Sequence, residues 1–387
     1  MKIDRYDITH RVSRPALKNW AFWLSTEDEE KVSSVGLREY HMRFGSAQLK
    51  MGGICGVGTK EEHRNKGYSR RVMEHTMAYM TENGFDVSML FGIPNFYHKF
   101  GYATVLPETY VEFDTEEVQA AASTYQIRKF ETEDAPKILD LYAANNAERT
   151  GTLLKKEIGW KEFATTGDFG VVADPYVVLN EAGEVIGYFV CGGLDVVRNM
   201  IEGNCILCDI GFQKRAIFET VVRFLADRAN HSGATTRIKC SIPADHPFAI
   251  FCRRYGCRTN TYTPKNHLGM MRIINQSSTL KKITGELEKR LRRSAHLSQW
   301  SGKILISTDL GQDCLEIDRG CFAHTNSRAN AFHLETPQDK LIQLMMGRRS
   351  IEDLAIEPDV SVTEEIIPVL EGLCPLGHPH VWWPDRF

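Results

Sequence analysis

Residues 55–71, Cys-Gly-Val-Gly-Thr-Lys-Glu-Glu-His-Arg-Asn-Lys-Gly-Tyr-Ser-Arg-Arg, have the types and spacing to hold a diphosphate. A short apolar strand, Cys55 to Thr59, runs into a tight turn rich in Arg, Lys and Gly. A helix follows at once, with Val72, Met73, Thr76, Met77 and Met80 on one face at helical spacing. Backbone N–H groups at a helix start point at an anion, and the helix dipole favours its charge. Gly67 lets the backbone approach closely because no side chain intervenes, and Arg64 and Lys66 add positive charge.

At this turn the sequence resembles the GNAT acetyltransferases. Their signature, Arg/Gln-x-x-Gly-x-Gly/Ala, grips the pyrophosphate of acetyl-CoA. Here it reads Arg64-Asn65-Lys66-Gly67-Tyr68-Ser69, with Ser69 in place of the usual Gly or Ala. The resemblance implies acetyl-CoA as co-substrate, with no metal. It also implies cofactor contacts from Val57, Gly58, Thr59, Arg64, Asn65, Lys66, Gly67, Tyr68, Ser69, Arg70 and Gly92. Downstream, Asn83-Gly84 reads as a helix C-cap and Phe85 to Phe91 as a buried strand. The segment Tyr97-His98-Lys99-Phe100-Gly101-Tyr102 matches the family's Tyr-x-x-x-Gly-Phe/Tyr, whose Tyr protonates the leaving thiolate. A phenol suits that task, because its unperturbed pKa of about 10 keeps it protonated near neutral pH. The competing reading is that Tyr97 packs under the helix.

The elements that must position these residues belong to a chain long enough for two or three domains, at 387 residues. With 42% apolar and 25% charged residues it reads as a globular protein able to bury sizeable cores. No apolar run approaches the roughly 20 residues needed to span a bilayer, and Met-Lys-Ile-Asp-Arg has no apolar signal region. A net charge of −3 favours neither nucleic acid nor an anionic membrane. The basic residues are scattered, with no aromatic interleaving to form a stacking platform. Ten cysteines are spread along the chain, and Cys205-x-x-Cys208 has no second pair to complete a zinc site. Reduced, buried thiols in a cytoplasmic protein are the expectation, with a redox role at that pair as the alternative. His378 and His380 lack a carboxylate at ligand spacing.

Along the chain, Trp20 to Ser25 reads as a strand, Glu27 to Glu30 as a solvated turn, and Tyr40, Met42 and Phe44 alternate as in a half-buried strand. A weak repeat restarts near Tyr125. Thr132 reads as a helix N-cap, with Ile138, Leu139, Leu141 and Tyr142 as the apolar face. Strands are expected near Tyr176 to Leu179 and Val185 to Cys191. Phe251-Cys252-Arg253-Arg254-Tyr255-Gly256-Cys257 echoes Phe96 to Tyr102, with Cys252 where Tyr97 stood. Asp209 to Arg215 lacks the Arg-x-x-Gly turn, so this copy keeps the fold and loses the cofactor grip. Beyond Ile274, Ser277 or Ser278 caps a helix carrying Leu280, Ile283, Leu287 and Leu291. Its charged face allows a membrane-surface helix, but interspersed Glu residues favour an ordinary domain helix. Strands at Lys303 to Thr308 and Cys314 to Asp318 follow, then helices at Pro337 to Met346 and Thr363 to Leu373.

Together these features resemble the Eis (enhanced intracellular survival) type of acetyltransferase. Leu341 to Ser350, Asp353-Leu354 and the terminal Trp-Pro-Asp-Arg-Phe are typical of it. The implied fold is α/β: two tandem GNAT-like mixed-sheet domains, then a sterol carrier protein 2-like α/β domain. The expected spans are 1–120, 121–275 and 276–387. In that family the last residue's carboxylate acts as general base, which here is Phe387. The resemblance implies direct attack of a primary amine on acetyl-CoA, with a backbone N–H near Val57 to Thr59 steadying the oxyanion and Tyr97 as acid. A small-molecule or lysine amine acceptor and a homo-oligomer are the expected partners. One departure is that only about twenty residues precede the first convincing strand, where the family carries a strand and two helices. Trp382 and Trp383 read as packing groups, or as an aromatic wall for an amine. The rival function is a lipid carrier built on the third domain.

Overall fold

The computed structural model describes residues 1–7, 18–158, 160, 173–192, 206–232 and 237–387. Cys205, half of the Cys205/Cys208 pair, lies outside the described residues; Cys208 is buried. No helix among the described residues is long and apolar enough to cross a membrane.

The first sheet is built from β1 (Lys2–Asp7), β2 (Asn19–Ser25), β3 (Lys31–Phe44), β4 (Ala47–Thr59), β5 (Val87–Gly92) and β6 (Ala103–Leu106). Between β4 and β5 runs α1 (Tyr68–Glu82). It buries Val72, Met73, Thr76 and Met80, ends at Asn83, and Gly84 takes the left-handed conformation with φ 67°. β4 and β5 are parallel, as the crossover helix requires, whereas β1 to β4 run antiparallel. β1 was not expected from the sequence. It pairs with β2 along its whole length, and only residues 8–18 connect the two.

The second sheet repeats this plan with β8 (Gln126–Lys129), β9 (Ala173–Leu179), β10 (Val185–Gly192), β11 (Ile206–Phe212), β12 (Arg237–Cys240) and β13 (Arg258–Tyr262). Helices α2 (Ala135–Asn145), α3 (Ile217–Ser232) and α4 (Pro247–Cys252) accompany it. α2 is preceded by a 3-10 turn closed by a Glu131/Asp134 capping box; Glu131 caps that turn and Asp134 stands at the N-cap of α2, so Thr132 is neither.

The sixth place of each sheet is taken by a strand of the other unit. β14 (Leu268–Ile273) lies between β5 and β6, and β7 (Glu108–Asp114) lies between β12 and β13. Two strands thus cross the expected boundary at 120/121, and the units are interlocked by reciprocal exchange.

The third segment opens with α5 (Gln276–Arg292), capped by the Asn275 side chain, which accepts from the Ser278 N–H; neither Ser277 nor Ser278 is the cap. A five-stranded sheet follows: β15 (Ser301–Thr308), β16 (Gly311–Asp318), β17 (Cys321–Thr325), β18 (Phe332–Glu335) and β19 (Ser361–Val362). α6 (Gln338–Met345), α7 (Ile351–Ala355) and α8 (Ile367–Leu373) complete it. α5 is a core helix. Leu280, Ile283, Leu287 and Leu291 share one apolar cluster with Tyr40, Met42, Met51, Val87 and Met89 of the first sheet. The other face of that sheet packs Phe22, Val35, Leu37 and Leu90 against Val72, Met73 and Met80 of α1.

Candidate active site

The parallel pairing of β4 with β5 runs from Met51↔Val87 to Ile54↔Leu90 and stops. Past that point Cys55 to Thr59 and Phe91 to Gly92 are not paired with each other, so the strands part and leave a notch in the sheet. At the same place β4 bulges: Gly56 and Val57 together face one residue of β3, because Ser34 pairs with Gly58 and Gly36 with Cys55. Gly56 makes the bulge with φ 54°, and the extra residue leaves backbone polar groups outside the ladder. The strand end is fixed by Ser33 Oγ, which bonds the Gly58 carbonyl at 3.0 Å and Thr59 Oγ1 at 2.9 Å.

Beyond Thr59 a single 3-10 turn, Glu61–His63, leads to Arg64. Asn65 has φ 60° and Gly67 φ 76°, two left-handed residues flanking Lys66. Alternation of this kind turns successive N–H groups inward as an anion-binding nest. Gly67 is also the N-cap of α1, with no side-chain cap, so the first N–H groups, on Tyr68, Ser69 and Arg70, stay open. A β-carbon at Gly67 would meet nothing within 4 Å, so its backbone angle rather than crowding calls for glycine there. Arg64, Lys66 and Arg70 are exposed and make no ion pair among the described residues. The cations are therefore available to a ligand.

Tyr97 opens the 3-10 turn Tyr97–Phe100, which Gly101 closes with φ 75°. Its ring lies over Gly92, where a β-carbon would stand 2.4 Å from Tyr97 Cδ2. Gly92 therefore makes room for the tyrosine, and its own strand register pairs it with Leu268 of β14. Tyr97 is 8% exposed, and its hydroxyl has no hydrogen-bond partner among the described residues. Burial pushes its pKa up to about 12, with the neighbouring Cys55 adding to the shift. Cys55 of β4 is thus near enough to Tyr97 to act on it electrostatically.

Phe387 reaches the same point from the other face. Its ring stacks on Tyr40 at 4.7 Å, meets Phe91 edge-on at 5.7 Å, and lies so close to Gly53 that a β-carbon there would be 2.6 Å away. Phe91 and Gly92 are adjacent on β5 and so face opposite sides of the sheet. The two rings they touch, Phe387 and Tyr97, thus flank one strand end. Arg386 is bound to Glu108 at 2.8 Å and covers Phe91 at 4.8 Å. Gly53 and Glu108 had no signal in the sequence, because their roles depend on strand register and on the path of the chain end. Trp382 and Trp383 lie in the core of the second unit, which fits the packing reading over an aromatic wall.

In the second unit, Gly256 closes the corresponding short helix with φ 70°, four residues after Cys252, as Gly101 does after Tyr97. Cys252 is fully buried and its thiol is pushed up by that burial, so it is protonated and inert. Among the described residues, Glu30, Glu62 and His63 form a group of possible metal ligands; both carboxylates are exposed and His63 is half-buried.

Residues 3–105 match the family described as Acetyltransferase (GNAT) domain, so the first unit is a GNAT acetyltransferase domain. No curated protein matches the sequence. Among solved structures, a conserved protein of unknown function from Enterococcus faecalis V583, termed a probable N-acyltransferase, superposes with TM-score 0.72 at 17% identity, over 96% of this chain and 89% of that one. A GCN5-related N-acetyltransferase from Anabaena variabilis gives 0.69 at 15% identity, over 95% and 89%. Eis1 from Mycobacterium abscessus gives 0.62 at 14% identity, over 95% and 90%. The shared architecture extends over nearly the whole chain.

Proposed function

We propose that this acetyltransferase moves the acetyl group of acetyl-CoA to a primary amine within one ternary complex. The observation that carries the reading is the notch between β4 and β5, with the uncapped start of α1 at its mouth and Tyr97 and Phe387 on either face. The Asn65–Gly67 nest, the open N–H groups of Tyr68, Ser69 and Arg70, and the charges of Arg64, Lys66 and Arg70 hold the diphosphate. The backbone of Val57, Gly58 and Thr59, which β5 leaves unpaired on its side, lines the acyl end, where an N–H stabilises the oxyanion. The amine nitrogen attacks the thioester carbon, its proton passing through water to the terminal carboxylate of Phe387. The C–S bond then breaks, and the thiolate takes the Tyr97 proton. No acyl-enzyme forms, and Cys55 is a neighbour of the acid rather than a nucleophile.

The likeness of the third segment to sterol carrier protein 2 stays within this proposal, supported by its five-stranded sheet and covering helices. A cytoplasmic homo-oligomer belongs to the same reading on family resemblance alone. The test is calorimetric titration with acetyl-CoA, followed by a screen of aminoglycosides, polyamines and blocked lysine as acceptors. Micromolar binding should be lost in Gly67→Asp, which places a carboxylate in the nest and strains a left-handed position. Absence of binding by the wild type would overturn the reading in favour of a carrier role for the third segment.

A further inference from the structure

The second unit lacks the phosphate turn, yet it buries three charged groups together. Lys155 Nζ lies 2.8 Å from Asp385 Oδ1 and 3.7 Å from Asp209 Oδ2, and 3.9 Å over the ring of Tyr142. The Tyr142 hydroxyl donates to Asp385 at 3.1 Å, and the Tyr188 hydroxyl donates to Asp209 at 3.2 Å. The Asp209 side chain is fully buried, and those of Lys155 and Asp385 are 8% and 2% exposed. Asp385 is the one member supplied by the end of the chain.

The place of this cluster in the fold is informative. Among the described residues, β11 pairs with β12 at Ile206↔Lys239 and Leu207↔Cys240. Asp209 is two residues past the last pair, the register position that Gly56 holds past Ile54↔Leu90 in the first sheet. The opening that faces a cofactor in one unit thus faces the chain end in the other. Neighbouring residues of the tail are seated as closely. The His380 N–H donates to the Thr150 carbonyl at 3.0 Å, and Gly151, with φ 98°, has no β-carbon to block that approach. Trp382 Nε1 donates to Asn146 at 3.0 Å, and its ring meets His246 edge-on at 5.6 Å.

We infer that the second unit serves as the seat of the C-terminal tail, with Lys155, Tyr142 and Asp209 acting as positioning residues that hold Asp385 and so place Phe387 where β4 and β5 part. Two residues of extended chain span at most about 7 Å. Release of Asp385 therefore frees Phe387 to leave the notch. An empty seat would leave the Lys155 ammonium buried without its closest partner, so the filled state is favoured. The seat stands on these contacts alone. Its consequence for turnover rests on the proposed role of the Phe387 carboxylate.

Hydrogen exchange of residues 380–387, read by mass spectrometry on the full chain, tests the seat. Asp385→Asn should raise exchange there by roughly tenfold or more, with Tyr142→Phe, which keeps the ring and removes only the hydroxyl, shifting it in the same direction. Acetyl-CoA affinity should stay within about twofold, and kcat on the best acceptor of the screen should fall by about tenfold or more without a rise in KM for acetyl-CoA. Wild-type exchange in both variants overturns the seat. Faster exchange with unchanged kcat upholds the seat and overturns Phe387 as base. Residues added after Phe387 separate the two further: lost turnover with wild-type exchange at 380–385 upholds the base with the tail still seated.

Discussion

At the scale of single residues, two titrating groups make opposite statements about pH. Tyr97 is held protonated, its pKa pushed up to about 12 by burial and then by Cys55. An acid with a raised pKa is kept in the form that donates, so the alkaline limb of kcat should lie above pH 10 if Tyr97 is the acid. Tyr97→Phe should lower kcat by roughly 10²-fold with little change in acetyl-CoA affinity. An unchanged rate would return the ring to a packing role over Gly92. Asp209 titrates differently. Burial pushes its pKa up to about 7, Lys155 draws it down, and Asp385 pushes it up again. An unfolded aspartate titrates near 3.9, so between that value and 7 the folded chain keeps a proton the unfolded chain releases. The stability from this group is full below pH ~4 and is lost as pH rises through 7. Asp209→Asn should therefore narrow the difference in Tm between pH 5 and pH 8. A difference as wide as that of the wild type would assign the pH dependence to another group.

At the scale of elements, glycines decide what the strands can carry. Gly53 of β4 would, as alanine, place its β-carbon 2.6 Å from the Phe387 ring and 2.7 Å from Tyr40. Both neighbours are aromatic rings in a packed core and have little freedom to give. Overpacking of this kind costs about 1–3 kcal/mol. Gly53→Ala should lower Tm and depress kcat while leaving the α1 nest, and so acetyl-CoA binding, intact. Wild-type kcat in that variant would separate Phe387 from the chemistry. The same scale shows what could be read in advance. α1 and α5 were legible because a one-sided apolar face at helical spacing is a local signal, and the β4–turn–α1 passage because Gly and basic residues between a strand and a helix form a local pattern. Caps were less so: Asn275 before α5, and Glu131 at the turn before α2, win over nearby Ser and Thr residues through local geometry that residue type does not reveal. β1 was hidden because Lys2–Asp7 has little apolar alternation of its own and gains its structure from β2. The site shows the same divide. Tyr97 and the nest are marked by sequence neighbours, whereas Lys155, Asp209 and Asp385 meet only after three distant segments fold together.

At the scale of the molecule, strand exchange ties the first two expected spans together. Without β14 the sheet of the first unit would expose the facing edges of β5 and β6, and without β7 the second would expose β12 and β13. Such open edges are sites of mispairing and aggregation. The third segment adds a further tie, because its α5 helix closes the face of the first sheet opposite α1, and buried Asp86 accepts from Ser278 and pairs with Lys282 of that helix. The chain end then passes from the third segment over the second unit to the first. No span has a complete sheet and a complete core of its own in the first two units. Calorimetric unfolding should accordingly give a single transition for these two units, with calorimetric and van't Hoff enthalpies in agreement, and residues 1–120 alone should fail to fold. Two separated transitions, one abolished by substitutions confined to β8–β12 and the other untouched, would mean that each sheet survives without the strand it borrows. The exchange would then be a packing arrangement rather than the basis of stability.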